Sequence, residues 1–180
     1  MSSAFPPEQP PAELLVVGAS EVLTCGRMAD ASGAEGDRIP GGCVAVGDGQ
    51  ILAVGPEAQL RERYDCSSAT VVEAKGGAVA PGFVDAHTHL VFGGSRVREY
   101  AARLTRSRPE VEELGIETGI MATVAMTRSE DEETLYAAAA SRLDELLAHG
   151  TTTAESKSGY GLDVFSEIKL LRVNRRLDDS

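Results

Sequence analysis

The chain has 180 residues, 42% of them hydrophobic and 25% charged, which is enough for one ordinary globular domain or a small domain plus part of another. The formal net charge of −11 argues against a nucleic-acid partner, because phosphate binding needs clustered lysine and arginine. We expect no membrane segment and no signal peptide, since no apolar run approaches roughly 20 residues and the start lacks a basic region followed by an apolar one.

The first part of the chain predicts a flexible tail followed by short β-strands. Residues 1–12 are rich in proline and serine and form the tail. The clearest signal is a hairpin, in which the β-prone runs 43–46 and 50–54 flank the turn residues Asp48-Gly49. We expect these strands, up to residue 80, to pair mostly antiparallel. The other predicted elements are a strand at 14–17, a loop at 29–42, a helix at 57–63 and a strand at 71–74.

From Pro81 onward the pattern becomes strand, loop, helix, strand, loop, helix, which is typical of parallel βα units. The best-defined helix spans residues 129–150, where Ser129 and Glu132 predict a capping box. The remaining predictions are a strand at 83–86, a helix at 97–104, an ambiguous stretch at 105–118 in which Pro109 limits any helix, a strand at 151–155, a loop at 158–161, and a helix with Phe165, Ile168, Leu171 and Leu177 on its apolar face.

Two of the three histidines, His87 and His89, lie two positions apart at a predicted strand end. Residues i and i+2 of a strand point to the same face, and imidazole is the commonest metal-ligating side chain. The pair therefore predicts half of a metal site, with a solvated chance pair as the alternative. Asp85 and Thr88 are suited to support ligating histidines. Tyr160 also follows a predicted strand, and sites in βα folds gather at such ends.

Residues 81–89, PGFVDAHTH, resemble the first barrel strand of the amidohydrolase superfamily. The runs LVFGGSRVREY at 90–100 and ESKSGYGL at 155–162, together with Thr127-Arg128, narrow the resemblance to the imidazolonepropionases. The resemblance spans roughly residues 14–177 and implies an α/β fold, with part of a (β/α)8 barrel preceded by a small β-sandwich segment. The implied domains are the tail at 1–12, the part of a composite sandwich at 13–80 and the first βα units of an incomplete barrel at 81–180.

The same resemblance implies that His87 and His89 bind one divalent metal, zinc or iron, and that Arg96 and Tyr160 contact the substrate. A guanidinium fork suits a planar anionic ligand. The alternatives are a surface arginine and a packing aromatic. Lys157 is expected to be an ion-paired or positioning residue. The third histidine, His149, is expected to be structural, since a positive charge is favoured at a helix C-terminus.

The implied reaction is hydrolysis of a ring C–N bond of 4-imidazolone-5-propanoate, which yields N-formimidoyl-L-glutamate in histidine degradation. The family usually has a tyrosine where this chain has Pro109, so hydrolysis of another cyclic amide stays open. The implied partner is a small-molecule substrate, and a homodimer is an option for a full-length protein. Three scattered cysteines without a CxxC pair favour reduced thiols in the cytoplasm.

A complete (β/α)8 barrel takes about 250 residues, so this chain accounts for only its first units. The family's other metal ligands, a histidine and an aspartate, and its acid–base groups come from later strands, so no catalytic residue is located here. Three hypotheses stand: a fragment of an amidohydrolase that is active when intact, a non-catalytic remnant, and an α/β binding module without a metal.

We predict that the purified 180-residue chain does not hydrolyse imidazolone propionate. Two histidines leave the coordination of a catalytic metal incomplete, because catalytic zinc normally has three protein ligands. A substrate-depletion assay on the purified chain measures this, and turnover above the no-protein background would contradict the prediction.

Overall fold

The computed structural model describes residues 9–25 and 38–179. Contacts within the chain divide it into two units, the first ending at Pro81 and the second beginning at Gly82. Over the described ranges, helices and strands combine into a mixed α/β architecture, and none of the helices is long and apolar enough to cross a membrane. The two units are described in turn.

The described residues of the first unit form two small sheets and one helix. One sheet has the strand order β5-β4-β1-β6, and the other has the order β3-β2-β7. The elements are β1 (Leu14–Val17), β2 (Glu21–Leu23), β3 (Arg38–Pro40), β4 (Gly42–Gly47), β5 (Gln50–Pro56), α1 (Glu57–Arg63), β6 (Thr70–Glu73) and β7 (Ala78–Val79).

The predicted hairpin is confirmed, and its turn chemistry explains it. Strands β4 and β5 pair antiparallel up to Gly47 and Gln50. Between them, Asp48 and Gly49 both adopt positive φ angles, 51° and 68°. Two successive residues with positive φ are the mark of the type I′ turn, whose twist matches that of the flanking strands. The predicted strand at 14–17 and helix at 57–63 are confirmed as well.

One prediction for the first unit is wrong, and another is incomplete. The predicted loop at 29–42 contains β3 and the start of β4, while its residues 29–37 lie outside the described part of the chain. The expectation of mostly antiparallel pairing holds for the described strands, with three antiparallel pairs, but the sequence did not reveal the two parallel pairs, β1 with β6 and β2 with β7. Antiparallel neighbours are joined by tight turns that a sequence displays, whereas parallel neighbours meet across long connections that leave no local signal.

Successive side chains of β1 point to opposite faces of its sheet, and both faces are packed. Leu15 is fully buried and packs with Cys43, Leu60 and Tyr64 in one apolar cluster. Val16 points the other way and packs against a second cluster. This period of two is the expected geometry of a strand covered on both sides. Residues 1–8 of the predicted tail lie outside the description, but Ala12 at its end is buried and donates its N–H to the carbonyl of Asp65.

The second unit combines a two-stranded parallel sheet with five helices. The sheet pairs β8 with β9, which confirms the expected parallel relation between the strands on either side of the helices. The elements are β8 (Phe83–Thr88), α2 (Val97–Arg103), α3 (Arg108–Glu113), α4 (Ile120–Ser129), α5 (Glu132–Ala148), β9 (Thr151–Ser156) and α6 (Val164–Asp178).

The boundary between α4 and α5 corrects the predicted helix at 129–150. Ser129 is the last residue of α4, a helix that the sequence analysis did not predict. Asp131 caps α5 instead, and its carboxylate accepts a hydrogen bond from the backbone N–H of Thr134. The predicted capping box at Ser129 and Glu132 is therefore wrong. An aspartate is as good an N-cap as a serine, so the sequence could not separate two candidates that lie two positions apart.

A capping box does occur at α3, within the stretch that the sequence left ambiguous. The carboxylate of Glu110 accepts hydrogen bonds from the backbone N–H and the hydroxyl of Ser107. Pro109 lies in the first turn of this helix, where its missing N–H removes no internal hydrogen bond. Pro109 therefore starts a helix rather than limiting one.

The apolar face predicted for α6 is largely wrong. The structure buries Leu170 and Val173 in a cluster with Leu135 and Ala139 of α5. Two apolar stripes exist on α6, and only packing against α5 decides which of them faces inward. The members of the predicted face that are exposed are Phe165, Ile168 and Leu171.

A buried lysine on α6 closes the C-terminal end of α4. The ammonium of Lys169 donates to the carbonyls of Thr127, Arg128 and Glu130 at 3.1, 3.2 and 2.6 Å. The last carbonyls of a helix have no partner within the helix, so an outside donor is needed where they are buried. Lys169 thus ties α6 to the end of α4.

Replacing Lys169 by methionine should lower the free energy of unfolding by about 2–4 kcal/mol, because buried carbonyls lose their donor. The matched control is Arg172→Met on the same helix, whose ion pair with Glu132 is solvent-exposed at 3.5 Å and should contribute less than about 1 kcal/mol. Urea denaturation followed by circular dichroism measures both. Equal losses in the two variants would contradict the role given to Lys169.

Candidate active site

The two adjacent histidines lie at the C-terminal end of β8. His87 is within the strand and exposed, while His89 follows it and is half-buried. Their ring centroids are 5.6 Å apart, with an angle of 61° between the ring planes. The Nδ1 atom of His89 is buried and has no hydrogen-bond partner within the described residues. Buried polar atoms are normally paired, so an unpaired imidazole nitrogen is suited to bind an external ligand.

The histidine pair fits half of a metal site. Across residues 9–25 and 38–179, histidine, cysteine and carboxylate side chains nowhere gather in a group of three or more that could hold a metal ion. Two imidazoles that approach each other from one strand end supply the nitrogen donors that zinc and iron accept. A catalytic zinc normally has three protein ligands, and the described side chains do not place a third one beside His87 and His89.

Asp85 and Thr88 act on the backbone rather than on the imidazoles. The carboxylate of Asp85 accepts a hydrogen bond from the backbone N–H of His87 at 3.2 Å. The hydroxyl of Thr88 donates to the carbonyl of Glu155 at 2.7 Å, which links β8 to β9. They hold in place the strand end that carries the histidines, and the described contacts that give this support are to the backbone rather than to the imidazole rings.

Lys157 is ion-paired, as expected. Its ammonium contacts the carboxylate of Glu155, and its backbone N–H donates to the carbonyl of Thr88 at 2.8 Å. The hydrogen bond from Lys157 holds the pKa of Glu155 below its usual range, and the nearby His87 adds to this effect. His149 also matches its expected structural role, since it ends α5 and its Nδ1 lies 2.7 Å from the carbonyl of Glu145.

A cleft of about 540 Å³ brings Arg96 and Tyr160 together. The Tyr160 ring lies 5.2 Å from the ring of His89, so the cleft lies next to the histidine pair. Phe92 and Arg142 line it as well. The structure thus places all four residues singled out by sequence, His87, His89, Arg96 and Tyr160, in one neighbourhood at the end of β8.

Arg96 is held by a buried carboxylate rather than lying free on the surface. It directly precedes α2, and its Nε donates to Glu99 at 2.5 Å. Glu99 is only 3% exposed and also accepts from the backbone N–H of Gly119 at 3.3 Å. The hydrogen bond from Arg96 holds the pKa of Glu99 below its usual range, and the same bond raises the pKa of Arg96. Both groups are therefore ionised at neutral pH.

The loop that carries Tyr160 is fixed from both sides of one peptide unit. The backbone N–H groups of Gly161 and Leu162 donate to the carboxylate of Glu167 at 2.7 and 2.8 Å. On the other side, the Nε of Arg128 donates to the carbonyl of Gly161 at 2.6 Å. Arg128 is one of the residues that carry the family resemblance. Its hydrogen bond to Gly161 gives it a structural role beside Tyr160.

The sequence analysis did not single out Phe92 and Arg142, which line the cleft, or Glu99, which holds Arg96. Arg142 left a readable signal. Leu135, Ala139, Arg142 and Leu146 follow one another at spacings of four, three and four, so an arginine occupies an apolar stripe of α5. Glu99 and Phe92 left no such signal in the sequence. An acidic residue in the first turn of a helix is common, and so is an apolar residue in a loop.

Comparison with known proteins gives matches along most of the chain. An amidohydrolase family model matches residues 70–111, and a model described as an imidazolonepropionase-like composite domain of bacteria matches residues 42–65. An imidazolonepropionase of Symbiobacterium thermophilum is 43% identical over 93% of this chain and 40% of its own length. One from Haloarcula marismortui is 45% identical over 89% of this chain and 38% of its own length. The chain is therefore similar, over most of its length, to the amino-terminal part of imidazolonepropionases.

Solved structures agree with the family at the level of the fold. Escherichia coli guanine deaminase is 19% identical and superposes with a TM-score of 0.55 over 91% of this chain and 33% of its own. A triazine hydrolase variant is 18% identical, with a TM-score of 0.53 over 89% of this chain and 33% of its own. The chain spans about 40% or less of the length of these imidazolonepropionases and of these two solved chains.

Gly159 packs against His89, so we predict that Gly159→Ala displaces this ring. A Cβ at position 159, where φ is 144°, would lie 3.3 Å from Cε1 of His89. With three histidines in the chain, the ring signals can be followed individually by NMR, and that of His89 should shift.

The matched control is Gly115→Ala, where φ is also positive, at 71°, but a Cβ would meet nothing within 4 Å. Both variants carry backbone strain, and only one reaches His89. An unchanged His89 signal in Gly159→Ala would show that the loop does not contact the ring in solution.

Proposed function

We propose that this chain supplies the amino-terminal part of the active site of an imidazolonepropionase, which hydrolyses a ring C–N bond of 4-imidazolone-5-propanoate to form N-formimidoyl-L-glutamate. One observation carries the proposal: Tyr160 lies 5.2 Å from His89 and shares a cleft with Arg96. A metal-binding end and a substrate-binding end are thereby next to each other.

In this proposal β8 and β9 are the first two strands of a (β/α)8 barrel, and residues 13–80 contribute part of a small β-sandwich. The parallel pairing of β8 with β9 supports the barrel, because parallel strands joined through helices are its repeating unit. Exposure supports it too. Phe83 and Val84 of β8 are 66% and 69% exposed, whereas strands of parallel sheets are normally covered on both faces.

His87 and His89 would hold one divalent metal, zinc or iron, together with ligands from a later part of a longer protein. The unpaired Nδ1 of His89 supports this assignment. A metal bound in this way lowers the pKa of a coordinated water to about 7 and polarises a carbonyl. The contacts of Asp85 and Thr88 with the backbone keep the strand end in place for both imidazoles.

Arg96 would bind the carboxylate of the substrate, since a guanidinium offers paired donors to a carboxylate. Glu99 occupies the Nε edge of Arg96 and so fixes the orientation of the fork in the cleft. Tyr160 would hold the ring of the substrate beside His89. Arg96 and Tyr160 orient the substrate, and no acid–base residue is assigned among the described side chains.

Reduced thiols support a cytoplasmic enzyme. The cysteines at positions 25, 43 and 66 are all free. Disulfides are rare in the cytoplasm, where glutathione and thioredoxin keep thiols reduced. A small molecule is the partner that the cleft fits, at about 540 Å³, within the usual range of ligand pockets.

The metal assignment predicts that His87→Ala and His89→Ala each weaken Zn²⁺ binding by the purified chain by more than about tenfold. Loss of a residue that merely supports a ligand already costs about 10–100-fold, and a ligand should cost at least as much. His149→Ala is the control, since this histidine caps α5. Isothermal titration with Zn²⁺ measures all three, and equal affinities would contradict the assignment.

The activity is tested in a chimera in which this chain replaces the segment that it matches in the Symbiobacterium thermophilum relative. The chimera should hydrolyse imidazolone propionate, and Arg96→Lys should raise KM by about 10–100-fold, because lysine cannot replace a two-pronged hydrogen bond to a carboxylate.

Arg106→Lys, an exposed arginine, is the control and should leave KM unchanged. If the folded chimera hydrolyses another cyclic amide but not imidazolone propionate, the substrate assignment is wrong. A KM that Arg96→Lys leaves unchanged would remove Arg96 from the substrate site.

A further inference from the structure

Arg142 is a charged residue on the buried face of α5 that the proposed function leaves unexplained. Its neighbours along that face, Leu135, Ala139 and Leu146, are apolar and pack in the main cluster of the second unit. Burial lowers the pKa of the Arg142 guanidinium. A charged group in such a place is unfavourable unless its donors are bonded, so its contacts indicate its role.

The contacts of Arg142 lie directly after the histidine pair. Its Nη1 donates to the carbonyl of Leu90 at 2.7 Å and to that of Phe92 at 3.2 Å. These residues belong to no helix or strand, so their carbonyls need partners from elsewhere in the chain. The side chains of Leu90 and Val91 are buried in the main cluster. Arg142 therefore fixes the path of the chain immediately beyond His89.

The guanidinium also begins a row of contacting rings that ends at His89. The Cζ atom of Arg142 lies 3.6 Å from the ring centroid of Phe92, a close cation–π contact. The Phe92 ring meets Tyr160 edge-on, with centroids 6.0 Å apart and an angle of 71°. Tyr160 in turn lies 5.2 Å from His89. Four side chains from three segments, the loop after β8, helix α5 and the loop after β9, thus form one continuous row.

We propose that Arg142 is a positioning residue. It holds the side chains of Tyr160 and His89 in register, meaning at a fixed relative position, through the Phe92 ring and the carbonyls of residues 90 and 92. The importance of that register rests on the proposed function, since it concerns the same cleft. The contacts of Arg142 do not depend on the proposed function, so the positioning role and the proposed function can fail separately. A residue that only stabilised the fold would not move these two rings selectively.

The test is the NMR spectrum of the ¹³C-labelled chain without added metal, at about pH 8, where ordinary imidazoles are neutral. In Arg142→Met we expect the ring signals of His89 and Tyr160 to shift, while those of His149 and Tyr64 stay in place. A folded Arg142→Met chain with unchanged His89 and Tyr160 signals would overturn the proposal.

Arg176→Met is the matched control. Arg176 stacks on Tyr136 at 4.4 Å and pairs with Glu133 at 2.7 Å, so it makes similar contacts at another place in the same unit. Its removal should shift the ring signal of Tyr136 and leave those of His89 and Tyr160 unchanged. Equal displacement of all the rings by both variants would count against a specific role for Arg142.

Phe92→Leu keeps the proposal testable if circular dichroism shows that Arg142→Met is unfolded. This variant retains the backbone carbonyls that Arg142 binds but removes the ring between Arg142 and Tyr160. The signals of Tyr160 and His89 should shift again. Unchanged signals would show that the row of rings does not transmit position, which would overturn the proposal.

Zinc titration separates this proposal from the proposed function. If both hold, Arg142→Met weakens Zn²⁺ binding about tenfold, as expected for a residue that orients a ligand. If the rings shift but even the unmodified chain binds no Zn²⁺, the proposed metal site fails while the positioning role stands. If the unmodified chain binds Zn²⁺ and the rings of Arg142→Met stay in place, the positioning role fails alone.

Discussion

Parallel pairing of β8 with β9 is the constraint on which the candidate site depends. The register runs from Phe83 opposite Thr151 to Thr88 opposite Ser156, so both strands end at the same edge of the sheet. Residues that leave a parallel sheet at one edge are close in space however far apart they are in the chain. His89 and Tyr160 meet for this reason. The hydroxyl of Thr88, bonded to the carbonyl of Glu155, fastens the two ends together.

Helix α4 organises the two loops that leave this edge. The buried hydroxyl of Thr127 accepts a hydrogen bond from the N–H of Gly93 at 3.0 Å, which anchors the loop leading to Arg96. The next residue, Arg128, binds the carbonyl of Gly161 in the loop of Tyr160. Lys169 binds the carbonyls at the end of the same helix. Buried donors and acceptors are thus satisfied between segments, and this fixes the segments relative to one another.

The cleft contains more charge than the family resemblance alone implied. Arg96 is neutralised by Glu99, whereas Arg142 is bound to neutral carbonyls and to an aromatic ring. The guanidinium of Arg142 therefore adds a positive potential to the cleft that it lines. Such a potential favours an anionic substrate, which agrees with the carboxylate of imidazolone propionate in the proposed function.

The sequence by itself determined the elements whose signals are local: the Asp48-Gly49 hairpin, the strand at 14–17, the strands on either side of the helices and the proximity of His87 and His89 at one strand end. Turn residues, the alternation of apolar residues along a strand and the spacing of a motif all depend on residues close together in the chain. Only the tertiary structure decided the parallel partners of β1 and β2, the inward face of α6, and the choice of Asp131 over Ser129 as a cap. Each of these depends on a partner far away in the chain or on competition between equally suitable neighbours. The burial of Glu99 and the role of Arg142 were decided in the same way, because the groups that they bind belong to other segments.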